Sequence, residues 1–288
     1  MFAAKDKVLL APPTTVPGQP EAIIASVNIP PRPALLMALQ REIRHDDPQL
    51  KKVAQLISRD AAMAGKLIQA ANSAFFSFPR PVATVEDALH LMGMNRCGAL
   101  MTGLITKTLM GSGLTMMARF WDVSEKRSKG MAYIATHNKA VAPDLAHTFG
   151  LFCDIGIPLL KAHSPSYIET LSIANRTAAT GFTDIERNRH GVDHTIIGSM
   201  LTEEWGIDSA IIAAIRLHHS PDALYDGTVP VTVRALLATN LIVEKAIQEF
   251  RGNSVSLEWA EGGHAACEAL DLTSADVEAA CLELKSRF

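Results

Sequence analysis

Again and again along this chain, a residue able to cap a helix stands directly before an apolar stretch, and nowhere does strict alternation run long enough for a half-buried strand. Asp60 precedes Ala61 to Ala71. Thr84-Val85-Glu86-Asp87 has the spacing of a capping box, with Asp in place of the usual Glu, ahead of a helix closed by Gly93. Asp47 with Pro48 reads as N-cap and first turn for Gln49 to Ile57, and Asn95 as the start of the next helix. Asp144 opens an apolar stretch through Leu160, and Ser164-Pro165 opens another helix. Asp193 caps His194 to Trp205, Asp208 caps Ser209 to His219, and Thr273 or Ser274 begins the terminal helix. Leu236, Leu237, Leu241, Val243 and Ile247 keep helical spacing within Val231 to Phe250. The pattern predicts an all-α chain without a repeat of fixed period.

Composition agrees. Apolar residues make up 48% of the 288 and aromatics only 6%, so the core draws on Ala, Leu, Ile and Met, most of which are good helix formers. A net charge of −3 offers no broad basic field, and no nucleic-acid partner is expected. Cys97, Cys153, Cys267 and Cys281 are far apart and form no CxxC pair, the pattern of reduced structural thiols. Val8-Leu9-Leu10-Ala11 is too short for a signal h-region, and no apolar run is expected to reach the ~18–20 residues of a membrane span. The reading is a cytoplasmic protein with no membrane partner. Pro12, Pro13, Pro17 and Pro20 mark residues 1–21 as a tail. Met110-Gly111-Ser112-Gly113 suggests a hinge between two helical lobes, 22–110 and 111–288.

Three segments of the second lobe concentrate possible ligands: Cys153-Asp154, Asp193-His194 and His218-His219. Side chains from several helices can converge on a divalent ion in a bundle core, and the ion can sharpen a bound water for attack on a phosphoester. Taken singly, each residue has a plainer reading. Asp193 is an N-cap, and His218 and His219 suit a helix C-terminus. Asp154 is the exception, because a carboxylate among Leu, Phe, Ile and Pro must find a partner.

The same segments carry a resemblance. Pro30-Pro31-Arg32-Pro33, then Asp47-Pro48 and Ile57-Ser58-Arg59-Asp60, lead into Leu67-Ile68-Gln69-Ala70-Ala71-Asn72-Ser73-Ala74-Phe75-Phe76, the most specific run. Val85 to Gly93 follows, and then Phe120-Trp121-Asp122-Val123-Ser124 and Phe149 to Gly156. Glu186 to His194, Trp205, and Ala214-Ile215 with His218-His219-Ser220-Pro221 complete a match over about 24–222. In this order the motifs resemble the HDOD family, a non-catalytic-looking branch of the HD-superfamily metal-dependent phosphohydrolases. The resemblance implies a two-lobed helical bundle with an HD-domain-like second lobe, and a role in bacterial signal transduction.

Against the hydrolases' ligand set, the resemblance places Ser124 where the first histidine would be and Cys153 where the His of the His-Asp pair would be. The last carboxylate would fall near Thr239 or Asn240. Asp154, His194, His218 and His219 remain as vestigial candidates. No catalytic residue, resident metal or other cofactor is expected, although the remnant could take a divalent ion fortuitously. Cys153 is expected to stay a thiol, and Asp154 to accept from His194 or His218 in a structural cluster.

The expected function is therefore a catalytically inactive signalling module that binds a protein partner or small ligand on an apolar patch or in the cleft between lobes. The alternative is a metal-dependent phosphohydrolase, for example a cyclic-dinucleotide phosphodiesterase. A nucleotide receptor without turnover is a third idea. Lys126, Arg127 and Lys129 could serve a phosphate but read first as a solvated helix face. Phe75, Phe76 and Phe78 are candidates for packing the lobes together. The sequence leaves the partner and the oligomeric state open.

Overall fold

The computed structural model describes residues 20–73, 76, 78–110, 115–176, 179–253 and 256–288. Among them every regular element is helical. The first half holds α1 (Pro20–Ser26), α2 (Ala34–Ile43), α3 (Leu50–Ser58), α4 (Ala61–Ala71), α5 (Val85–Met92) and α6 (Met94–Met110). The second begins with the long α7 (Thr115–Asn138), which pairs with α8 (Pro143–Phe152) and leads to α9 (Gly156–His163), α10 (Tyr167–Ala174) and α11 (Ala179–His190). It continues through α12 (His194–Glu204), α13 (Ser209–Leu217), a 3-10 turn at Pro221–Leu224, α14 (Val231–Phe250), α15 (Leu257–Leu270) and α16 (Ser274–Arg287).

Most of the predicted caps do what their chemistry requires. Asp60 accepts from the backbone N–H of Ala62 and Met63, and Asp193 from Thr195 and Ile196. Asp208 accepts from Ala210, and Thr84 and Thr273 each close a capping box with Asp at N3. These bonds satisfy amide donors that a helix start leaves orphaned.

Several expectations need correction. α3 starts at Leu50 with Gln49 at its cap position, and the Asp47 carboxylate instead accepts from the Gln49 side chain at 2.8 Å. Asn95 lies inside the first turn of α6, and Asp144 inside the first turn of α8 behind Pro143. The stretch through Leu160 is two helices broken around residues 153–155, and α10 begins at Tyr167, after Ser164-Pro165. Helix starts at Pro20, inside the tail of 1–21 that the prolines suggest; residues 1–19 lie outside the described ones, as do the expected hinge glycines. One apolar run does meet membrane length and composition, Pro143–His163, but 61% of it is buried, as befits core helices.

The two halves share one continuous apolar core, from Val27 through Met101, Phe149 and Trp205 to Leu284. α6 lies against α8 closely enough that a Cβ at Gly103 would meet Leu151 Cδ2 at 2.5 Å. Trp205, fully buried, donates its indole N–H to the Pro30 carbonyl at 2.9 Å, and Arg44 donates to the Gly206 carbonyl at 3.0 Å. Phe76 and Phe78 stack on each other at 5.9 Å, and Phe75 lies outside the described residues. The motif that leads to them is a loop clamp: the Asn72 amide donates to the Val82 carbonyl and accepts from the Val82 N–H, both at 2.8 Å.

Candidate metal centre

Four helix ends converge in the second half. Asp154 sits in the turn between α8 and α9, not inside a helix as the sequence suggested. His194 is the first residue of α12, presented by its capping neighbour Asp193. His218 and His219 follow the last residue of α13, where the helix dipole favours positive charge. The approach of the first two depends on Gly156, since a Cβ there would lie 2.0 Å from the His194 carbonyl oxygen. Only glycine lets the start of α9 rest on the start of α12.

All four predicted candidates meet. One donor atom from each of Asp154, His194, His218 and His219 lies within 4.8 Å of the others. The His194 and His218 Nε2 atoms are 3.3 Å apart, and Asp154 Oδ1 lies 3.3 Å from His218 Nε2 and 3.7 Å from His194 Nε2. Each of these imidazoles is aimed from behind. His194 Nδ1 donates to Glu186 Oε2 at 2.7 Å, and His218 Nδ1 donates to the Ile215 carbonyl at 2.7 Å. Both Nε2 atoms therefore face inward, the arrangement by which an outer acceptor fixes a ligating histidine. Glu186 is fully buried, accepts the Tyr167 hydroxyl on its other oxygen, and also receives the His194 backbone N–H at 3.3 Å. His219 Nδ1 lies 3.1 Å from Glu258 Oε1, out of line for a hydrogen bond. Phe182 of α11 stacks over the His219 ring at 4.6 Å and meets His194 edge-on at 5.5 Å.

The charges are arranged to match. Burial works against the His194 cation, but Glu186, Asp154 and Asp193 outweigh it and raise the imidazole to about 9. Burial likewise opposes protonation of His218, and the Asp154 carboxylate 3.3 Å from its Nε2 helps to overcome that and raise it. Burial works against ionised Asp154, yet Arg127, His218 and His194 hold its carboxyl well below the usual range. Burial pushes the Cys153 thiol up, so it stays protonated at neutral pH as expected.

Arg127 corrects the sequence reading. It is not on a solvated face but 6% exposed, with Nη1 2.7 Å from Asp154 Oδ2 and Nη2 2.8 Å from Glu244 Oε2. Lys126 and Lys129 are half-buried along α7, paired with Asp122 and Glu125. Glu244 takes Gln248 on its second oxygen at 2.6 Å. The acidic residue on α14 thus lies one turn beyond Asn240, and it faces the arginine. Ser124 and Asn240 are buried, as is Cys153, and the Asn240 Oδ1 has no hydrogen-bond partner among the described residues.

The donor set fits one divalent ion. A tetrahedral ion with bonds of about 2.0–2.1 Å has ligand atoms about 3.3–3.4 Å apart, close to the spacing among His194, His218 and Asp154. Three imidazoles and one carboxylate suit zinc, iron or manganese. Such an ion would supply Lewis acidity and lower the pKa of a bound water. The other carboxylate oxygen, Asp154 Oδ2, is held by the Arg127 guanidinium at 2.7 Å.

The sequence does not single out Glu186, Glu244, Tyr167 or Phe182 as site residues, and it offers Arg127 only as a phosphate candidate on a charged helix face. The nearest signal was Glu186, eight residues before His194 within one matched segment.

With this geometry established, comparisons place the chain. The sequence profile of the HDOD domain matches residues 29–221. An uncharacterized protein of Treponema pallidum is 24% identical over 196 residues, 67% of this chain; the chain spans 38% of that relative's length. An HDOD domain protein of unknown function from Geobacter sulfurreducens superposes with a TM-score of 0.70 at 20% identity, covering 93% of this chain and 92% of that one. A protein of Marinobacter aquaeolei provisionally assigned to signal transduction gives 0.66 at 19% identity, covering 93% and 62%. One of Shewanella amazonensis, provisionally assigned as a phosphohydrolase, gives 0.61 at 20% identity, covering 92% and 97%. At these identities the structural likeness speaks for the fold.

Proposed function

The chain belongs to the HDOD family, and from that premise we propose that it is a regulatory module of signal transduction that binds a protein or small ligand without hydrolytic turnover. One observation carries this reading: the buried salt bridge from Arg127 to Asp154 Oδ2 at 2.7 Å. A carboxylate that must organise two cations around an attacking water has both oxygens engaged in that task. Here one of them is committed to a side chain that stays charged at every working pH.

The binding surface that suits such a module is the cleft where the halves meet. It measures about 380 Å³ and lies among α2, α6, α8 and the start of α13. Leu39, Ile43, Leu145 and Ile211 give it an apolar floor, and Gln40 and Thr148 supply polar groups. That volume falls within the ~300–1,000 Å³ of small-molecule pockets. An occupant would touch both halves and so bias how they pack.

Metal-dependent phosphohydrolysis, with cyclic dinucleotides among the substrates, is the second reading; the four convergent donor atoms favour it. A phosphodiesterase assay on purified protein with added Mn²⁺ or Fe²⁺ decides between them. No turnover is expected from the wild type. Turnover that Asp154→Ala abolishes would overturn the binding reading.

A further inference from the structure

Around Arg127, two acidic side chains from different parts of the fold point at one place. Asp154 comes from the turn between α8 and α9, Glu244 from the middle of α14, and α7 runs between them. Left alone, two carboxylates so deep in the protein would repel each other and lose their hydration. In a metalloprotein this is the setting of a cation held by oxygen ligands. The guanidinium sits there instead, one arm on each carboxylate, at 2.7 and 2.8 Å. Among the described residues its Nε finds no acceptor, so the carboxylate charges rather than a full set of hydrogen bonds hold it.

Asp154 is the shared element. Its Oδ1 faces the histidine nitrogens at 3.3 and 3.7 Å, and its Oδ2 faces the arginine. A carboxylate in that position bridges two positive centres. One centre is the His194–His218–His219 face, whose inward Nε2 atoms on the first two are 3.3 Å apart. The other centre is Arg127.

We propose that Arg127 is a built-in second cation of this site, so that the site takes one divalent metal ion and not two. The proposal deepens the binding reading above and rests on it: the guanidinium keeps the two-centre charge pattern while removing the ion that a bridged nucleophile would need. Arg127 is here a positioning residue, acting through Asp154.

The test uses the full chain, stripped with chelator, reloaded with Mn²⁺ or Zn²⁺ and freed of excess. Elemental analysis and calorimetric titration read the stoichiometry, and thermal melts read the coupling. Wild type is expected to bind one ion per chain, and His218→Ala to lose it. Arg127→Lys, which keeps a positive charge, is expected to stay at one ion. Arg127→Met is expected to melt lower than wild type when stripped, to regain much of that loss on adding metal, and to bind two ions. Two ions or none in the wild type would overturn the proposal. So would a folded Arg127→Met that binds one ion and gains no more from metal than wild type does. Should Arg127→Met fail to fold, the wild-type and Arg127→Lys stoichiometries still decide. Phosphodiester turnover at one ion per chain would sink the binding reading and leave this proposal standing. Two ions without turnover would sink this proposal alone.

Discussion

Replacing Asp154 by Ala in chelator should cost the metal-free protein far more than the same change at an exposed aspartate. Asp154 accepts from Arg127 at 2.7 Å and lies 3.3 Å from His218 Nε2. Its removal leaves the His218 cation without its carboxylate and half-strips Arg127, which keeps only Glu244. A hydrogen bond to a charged group contributes about 1.5–3 kcal/mol, and removing one partner of a buried pair costs about 3–5 kcal/mol. At ~2–4 °C per kcal/mol for a chain of this order of size, the melting temperature should fall by roughly 6–20 °C. Asp122→Ala is the control, since Asp122 makes an exposed i,i+4 pair with Lys126; it should change stability by no more than about 1 kcal/mol.

Urea and thermal denaturation in EDTA at pH 7 make the comparison. The gap between Asp154→Ala and wild type should also follow pH with a definite sign. Asp154 is held below its ordinary range, so its contribution is present above the unfolded carboxylate pKa and is lost as pH falls through the depressed one. His194 is raised to about 9, so its share is full below the unfolded imidazole pKa and fades as pH climbs through 9. The gap should therefore be widest between the unfolded carboxylate and imidazole pKa values, about pH 4 to 6.5, and narrow at both extremes. If the two variants melt within a degree or two of each other at pH 7, the buried network is not what holds these helices together.

Other sites give sharper single answers. Burial, with Lys129 and Arg96 nearby, lowers His147 to about 4, and its Nδ1 has no hydrogen-bond partner among the described residues. The unfolded chain therefore binds the extra proton between pH 6.5 and 4, and stability should fall by up to about 3 kcal/mol across that window. His147→Leu should flatten that part of a urea-denaturation pH series. Asn72→Ala removes both 2.8 Å bonds to the Val82 backbone and should cost about 2 kcal/mol in chemical denaturation. Asn72→Asp, which keeps the acceptor alone, should fall between. Gly156→Ala would place a Cβ 2.0 Å from the His194 carbonyl; it should destabilise by ~3 kcal/mol or more and weaken metal uptake measured by titration.

The site was half legible in advance, for a physical reason. Asp154, His194, His218 and His219 stand out because each is a titratable residue beside an apolar helix or at a helix end, where chemistry limits what can sit. Arg127 did not stand out. In sequence it lies among Glu125, Lys126 and Lys129, and a charged run normally marks a wet surface. Helical geometry turns one of those residues inward every turn, and only the packing of α7 on α8 and α14 selects which. Glu244 was hidden in the same way, in a helix legible for its apolar face. Phe182 and Glu186 act through space on residues from other helices, and no spacing rule connects them.

Local chemistry written in the chain settled the helices: capping side chains at Asp60, Thr84, Asp193, Asp208 and Thr273 satisfy amides within three residues of themselves. That logic needs no distant partner, so it can be read one residue after another. Which carboxylate meets which cation depends on residues 27 and 117 positions apart, as Arg127 is from Asp154 and Glu244. Those pairings exist only once packed helices have excluded water and made an unpaired charge costly. The tertiary structure alone decided that an arginine backs the aspartate of the histidine cluster.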